Sequence, residues 1–475
     1  MCTNERTRVQ WWSKGNPGKE RCLWNSDVNL SSYQRASSRL PFVSTHHKAK
    51  IRRINMSDIG SIVNKHRPDL APYETLYKYL HANPELSYSE RETASTIRSH
   101  LSKHNGLDIH TAIGGHGIAA TLSNGSGPTV LLRADTDALP VLEKTGLPYA
   151  STKRMKDAEG KDQPVMHACG HDMHTTSLLA AAELLHSARD SWSGTLVLVF
   201  QPAEEKGSGA KAMVEDGLYS KKLVPIPDVV LGAHVMPYKS GLIGTRAEVM
   251  ASAADSMKIT LYGRGGHASQ PHRTVDPVVM AAYTVARLQT LVSREVEPSQ
   301  TAVVTVASIR AGETENIIAE EAEIKVNVRT FDESVREKVL AGVKRIVKAE
   351  SEASGATKQP EFQKLSEFPI TWNDEEVTAK LDKSMKHYFE DKWHLSFPPL
   401  QGSEDFSVLG TSVSKPCNFW VYGGTDPELW DCMEKDGTLL ELPINHSAYF
   451  APVIQPTLRT AVDGYAVAAL TWLTK

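Results

Sequence analysis

The sequence is short of cysteine and of long apolar runs, and its charges nearly cancel. Its five cysteines in 475 residues (Cys2, Cys22, Cys169, Cys417 and Cys432) are an odd, sparse set. That excludes a disulfide framework and fits a reducing compartment, so a cytoplasmic protein is expected. No window holds the roughly 18 uninterrupted apolar residues of a membrane span, and no membrane partner is expected. A net charge of −3 gives no reason to expect nucleic acid or anionic lipid either. What is there is a globular composition, 40% hydrophobic and 23% charged, on a chain long enough to predict two domains. The first 55 residues differ: eleven Lys or Arg stand against three Asp or Glu, with many Ser and Asn and no helical or strand period. Residues 1–55 are read as a disordered or leader segment, with an organellar location if this basic stretch is a transit peptide.

Beyond the leader, apolar runs alternate with helical periods. Helices are predicted over 72–81 and 89–104, around a turn at Asn83-Pro84. Short strands at His116–Leu122 and Thr129–Arg133 flank Asn124-Gly125-Ser126-Gly127-Pro128, a hairpin-like signal. Thr175–Ala188 reads as a helix. Gly194–Phe200 and Asp228–Ala233 read as strands buried on both faces. Three of these strands deliver polar residues just past their carboxyl ends, the edge where open α/β sheets build sites. Near residue 250 the rhythm becomes β-α-β-β-α, with a last strand at 360–365, which fits a ferredoxin-like insert. The α/β pattern resumes after about 370, with a helix at 374–390, an apolar run at 419–422 and a helix from Thr457. The fold class is therefore α/β: a split catalytic domain (56–249 and 369–475) with a mixed sheet flanked by helices, plus an inserted ferredoxin-like α+β domain (250–368).

The chemistry gathers on His167-Ala168-Cys169-Gly170-His171-Asp172-Met173-His174. Cys169 and His171 are two apart, so in extended backbone both face one side. A thiolate with an imidazole suits zinc, manganese or cobalt better than magnesium or calcium. Glu204-Glu205 follows a buried strand, where adjacent carboxylates repel unless compensated. Strand alternation would send the two side chains to different sides, one to a cation and one to a water. With His234 and His446, the set Cys169, His171, Glu205, His234 and His446 is enough for two metal ions with open positions. Glu204 is then the spare carboxylate that amide hydrolysis needs as general base. His167 and His174 flank this set and are read as supports; Asp172 is read as a ligand-orienting or capping residue.

Seven ordered blocks carry a resemblance. They are His81-Ala82-Asn83-Pro84-Glu85-Leu86, Arg133-Ala134-Asp135-Thr136-Asp137-Ala138-Leu139-Pro140, His167-Ala168-Cys169-Gly170-His171-Asp172, Gln201-Pro202-Ala203-Glu204-Glu205, Gly265-Gly266-His267-Ala268-Ser269, Gly402-Ser403-Glu404-Asp405-Phe406 and Asn445-His446-Ser447. Over residues 70–475 the chain resembles the metallopeptidase family of aminoacylase, carboxypeptidase G and hippurate hydrolase. Within it, the chain is most similar to the amidohydrolase branch of the auxin–amino acid conjugate hydrolases. The resemblance implies a metal-dependent hydrolase of N-acyl amino acids, with a dipeptidase or carboxypeptidase as the alternative. It implies two divalent metal ions per subunit, zinc or manganese, on Cys169, His171, Glu205, His234 and His446, and Glu204 as general base. By the same resemblance His267 is catalytic, reaching the active site of a partner subunit, and Asn316 and Arg329 bind substrate. The insert is then a lid through which a homodimer forms.

Overall fold

The computed structural model describes residues 56–474, so the leader read at 1–55 lies outside the described residues. Three helices come first: α1 (Met56–His66), α2 (Ala71–Ala82) and α3 (Arg91–Leu101). They lead to β1 (Leu107–Ile113), β2 (Gly117–Asn124), β3 (Thr129–Asp135), α4 (His171–Ser187), β4 (Gly194–Gln201), β5 (Val229–Lys239) and β6 (Ile243–Gly244). Next come β7 (Ala253–Tyr262), α5 (Pro277–Thr290), β8 (Ala302–Ala311), β9 (Glu321–Thr330), α6 (Glu333–Ala353) and β10 (Glu361–Phe368). The chain closes with α7 (Glu375–Phe389), β11 (Trp393–His394), β12 (Cys417–Thr425) and α8 (Thr457–Leu473).

The main sheet is mixed and eight-stranded, in the order β1-β2-β4-β3-β5-β12-β6-β11. Its centre, β4-β3-β5-β12, is parallel. These strands are apolar throughout because both faces are covered; β4, for example, is buried at every residue but Thr195. One face carries α4 and α8, which are buried almost all round, as helices without a polar stripe must be. The other face packs Met213, Leu218, Phe406 and Phe419.

Two strand expectations change. Residues 124–128 do not close a hairpin, because β4 inserts between β2 and β3 and pairs with both. The true hairpin joins β2 to β1, an edge strand whose burial does not alternate cleanly. His234 does not follow a strand end but lies inside β5, because pairing with β12 continues past it to Lys239.

The second sheet is antiparallel, in the order β8-β9-β7-β10. With α5 and α6 it follows the β-α-β-β-α-β order of a ferredoxin-like unit. Both β7 and β9 alternate buried with half-buried residues, and the buried set joins Val335, Val339, Val343 and Val347 of α6 in a separate core. The chain leaves and re-enters the main sheet side by side: Thr371 pairs with Ala251, and Asn373 with Glu248. Among the described residues no helix is long and apolar enough to cross a membrane.

Candidate metal centre

Two neighbouring parallel strands, β3 and β4, end together beside β5, and the charge gathers at their ends. At the end of β3, Arg133 is fully buried and binds Asp135 at 2.7 Å, Glu404 at 2.8 Å and the Gln201 side chain at 2.8 Å. Asp135 accepts from His174 Nδ1 at 2.5 Å, while His174 Nε2 accepts from the Val235 N–H at 2.8 Å. Both His174 nitrogens are thereby used, which makes it a brace rather than a free donor. Asp137 lies 3.3 Å from His171 Nδ1. The hydrogen bond leaves His171 Nε2 as the free nitrogen, buried 3.7 Å from Asp135 Oδ2.

Cys169 and His171 reach this edge by a turn, not by the extended backbone expected. Gly170 is left-handed at φ 85 and α4 begins at His171. A Cβ at Gly170 would meet Val235 Cγ1 at 2.4 Å, so the close approach also demands glycine. The Glu204-Glu205 pair likewise sits in a 3₁₀ turn, Glu204–Lys206, entered through Ala203 at φ 50. Strand alternation does not set their directions. Glu204 groups with Glu404 and Asp405, Glu205 with Cys169 and His446, and both come within 4.8 Å of each other and of His171.

The five donor residues read from the sequence surround one place. Cys169 Sγ is 3.4 Å from His234 Nε2. Glu205 Oε1 is 3.8 Å from His171 Nε2 and 3.4 Å from His446 Nε2. His234 Nδ1 donates to the Val235 carbonyl at 2.7 Å, leaving Nε2 with its lone pair. Asn445 holds the thiol segment by donating to the Cys169 and Val235 carbonyls at 3.3 and 3.2 Å. His446 itself is left-handed, at φ 71, with its N–H on the Ala168 carbonyl at 2.8 Å.

A cation fits this set. His171 Nε2 and Glu205 Oε1 are buried without a hydrogen-bond partner, a costly state that a metal ion would relieve. The electrostatics agree. Burial opposes charge on His171, yet Asp135, Asp137 and Glu205 push its pKa up to about 10. Burial, with Glu404, Glu205 and Asp405 nearby, lifts Glu204 well above the ordinary carboxylate range. Burial, with Glu205 and Glu204 nearby, raises the Cys169 thiol, whereas burial and His174 hold His234 low. Negative charge crowded into a dry pocket is the condition a divalent cation reverses.

Cys169, Glu205, His234 and His446 open onto a cavity of about 260 Å³ that Glu204, Met236, Phe419 and Leu400 also line, while His171 lies buried behind them. Arg329 lines it as well, with Nη1 on the Gln401 carbonyl at 2.9 Å and on Ser403 Oγ at 3.3 Å. His267 and Asn316 do not line it. They are exposed neighbours on a short ladder, where His267 pairs with Ile317 and the Ala268 N–H meets the Asn316 carbonyl at 3.0 Å. Asp135, Asp137, Glu404 and Asn445 stand in the recognisable blocks without an assigned role, and Asn327 stands outside them; all five sit at the site. For the aspartates the signal was present: two carboxylates two apart at the end of a buried strand.

Comparison with known proteins follows the same outline. The description "Peptidase family M20/M25/M40" matches residues 131–432. Hippurate hydrolase from Campylobacter jejuni is 39% identical over 340 residues, 71% of this chain and 84% of that protein. The IAA-amino acid hydrolase ILR1-like 4 of Arabidopsis thaliana is 34% identical over 337 residues, 70% of this chain and 73% of its own. Among solved structures, a dinuclear metal binding peptidase of the M20 family from Bacillus subtilis superposes with a TM-score of 0.64 at 26% identity. That superposition covers 87% of this chain and 98% of the other. With its family description spanning most of the catalytic strands, its relatives aligned along most of their length and its donors drawn into one pocket, the chain belongs to peptidase family M20/M25/M40.

Proposed function

We propose that the protein is a metal-dependent amidohydrolase that cleaves the amide bond of N-acyl amino acids of the hippurate or auxin-conjugate kind. The observation that carries this reading is that Cys169, Glu205, His234 and His446 line one cavity together with Glu204, with His171 behind them 3.8 Å from Glu205. These five residues would hold two divalent cations, zinc or manganese, which when bound acidify a water and polarise a carbonyl. Glu204 takes the proton of the attacking water and returns it to the leaving amine, the two halves of general base and acid catalysis. The guanidinium of Arg329 meets the substrate carboxylate at the far wall of the cavity. Residues 250–368 form the lid and the homodimer contact, and His267, exposed in its own subunit, steadies the oxyanion in the partner's cavity, with Asn316 beside it on the substrate carbonyl.

The relatives named hippurate hydrolase and IAA-amino acid hydrolase support the substrate class. The test is turnover of a panel of N-benzoyl, N-acetyl and indole-acyl amino acids beside dipeptides, after chelation and after return of Zn²⁺ or Mn²⁺. Metal-restored hydrolysis of the acyl amino acids is expected. Preference for dipeptides would move the assignment to a dipeptidase or carboxypeptidase, and no hydrolysis by metal-loaded protein would overturn it.

A further inference from the structure

The segment Ser87–Glu90, just past the first recognisable block, takes no part in the chemistry above, yet its polar groups reach the turn that carries Glu204 and Glu205. Glu90 is fully buried. One of its oxygens accepts from the N–H of Tyr88 at 2.8 Å and from the N–H of Ala203 at 2.9 Å. Asp137 accepts from the next two N–H groups, those of Glu204 and Glu205, each at 3.1 Å. Ser87 Oγ in turn donates to Asp137 at 2.7 Å. At the far end of the turn the Tyr88 hydroxyl meets Ser208 Oγ at 2.6 Å. Three consecutive backbone donors and the exit of the turn are therefore all answered, directly or through Asp137, by one four-residue segment.

That segment is itself fixed. The Glu85 carbonyl accepts from the Ala138 N–H at 2.8 Å. The Glu85 carboxylate accepts from Thr93 N and Oγ1 at 2.8 and 2.9 Å, which ties it to α3. The turn needs such holding, because Ala203 is a non-glycine residue in the left-handed region, a conformation that persists only where its surroundings over-determine it.

We infer that Ser87–Glu90 is a positioning clasp: it fixes the Ala203–Glu205 backbone so that two adjacent glutamates point to different tasks, one to proton transfer and one to a metal ion. The inference rests on the roles proposed for Glu204 and Glu205. Burial and the nearby Asp137 push Glu90 up to about 8, so at neutral pH it serves mainly as a neutral acceptor and an amide can replace it.

The experiment compares Glu90→Gln, Glu90→Ala and Ser87→Ala in the full-length protein. Three quantities are read: amide hydrogen exchange at Ala203–Glu205 without metal, Zn²⁺ affinity by titration, and kcat and KM. For Glu90→Ala, faster exchange at these three amides is expected. Zn²⁺ affinity should fall about tenfold or more, and kcat should drop while KM stays within about threefold. Glu90→Gln should remain within about threefold of wild type in all three, since its amide oxygen still accepts. Wild-type exchange and Zn²⁺ affinity in Glu90→Ala would overturn the clasp, and so would a Glu90→Gln variant damaged as badly as Glu90→Ala. If Glu90→Ala does not fold, Ser87→Ala decides: faster exchange at Glu204 and Glu205 with weaker Zn²⁺ binding supports the clasp, and no change rejects it. A wild-type protein that binds no Zn²⁺ would instead sink the functional proposal, and the exchange data would still judge the clasp.

Discussion

In the main sheet, the polar groups at the carboxyl ends of the central strands are buried with their charges: Arg133, Asp135, Asp137 and Glu404 are all within a few per cent of complete burial. In the four-stranded sheet, β7 and β9 bury one face only, and the polar groups of the other stay half-exposed. Dry charge is expensive unless each group is answered, and every one of the buried four has a partner. The first region thus holds a pocket already formed in a single chain. The second contributes Asn327 and Arg329 to that pocket but leaves His267 and Asn316 outside it. The difference teaches that the buried charge is built into one sheet, while the other lends the pocket two polar side chains from its half-exposed face.

The largest expected effect tests the dry region directly. Glu204→Gln should lower kcat by about 10³-fold or more while Zn²⁺ content, measured by elemental analysis, stays at the wild-type level. Equal loss of metal would mean that Glu204 is a ligand and not the proton carrier. On the wet side, His267→Ala should lower kcat about 10²-fold with little change in KM. If the residue works across a dimer, mixing it with Glu204→Gln protein should restore part of the activity, because half of the sites in a mixed dimer then have both residues. Arg329→Met should raise KM for N-acyl amino acids about tenfold and leave kcat nearly untouched; steady-state kinetics will separate the two.

The smallest effect concerns stability. His81 is buried between Asp172 Oδ2 at 2.7 Å and Glu143 Oε1 at 3.0 Å. Burial opposes its charge, but the two carboxylates hold its pKa up to about 9, above the ordinary value of about 6.5. Its contribution is fully present below pH 6.5 or so and is lost as the pH rises through about 9. The Tm of metal-free protein should therefore decline across that window, and His81→Gln should flatten the decline.

Most of the fold was legible because its signals were local. The apolar runs of β4 and β12 admit only a doubly covered strand. The alternation of Ser256–Leu261 and Ala322–Val328 marks a sheet with one wet face. What failed depended on pairing at a distance. Nothing near Asn124-Gly125 reveals that β4 will enter between the strands on either side, and the alternation of Leu107, Ile109 and Ile113 with Asp108 and His110 is too short to announce an edge strand whose burial does not follow it. The site followed the same rule. Cys169, His171 and Glu205 were visible as residue types, but the route by which they meet was not, because it depends on left-handed backbone at Gly170 and Ala203. Asn445 stands in a recognisable block beside His446, but that it gathers the Cys169 and Val235 carbonyls is visible only in the fold.

His446 differs from the other four donors in one respect that bears on handling the protein. Its side chain is 56% exposed, on a loop at the rim, whereas Cys169, His171 and His234 belong to the scaffold. Its backbone is nonetheless pinned to the Ala168 carbonyl, so solvent or a chelator meets the donor set first at the His446 ring, with the other donors behind it.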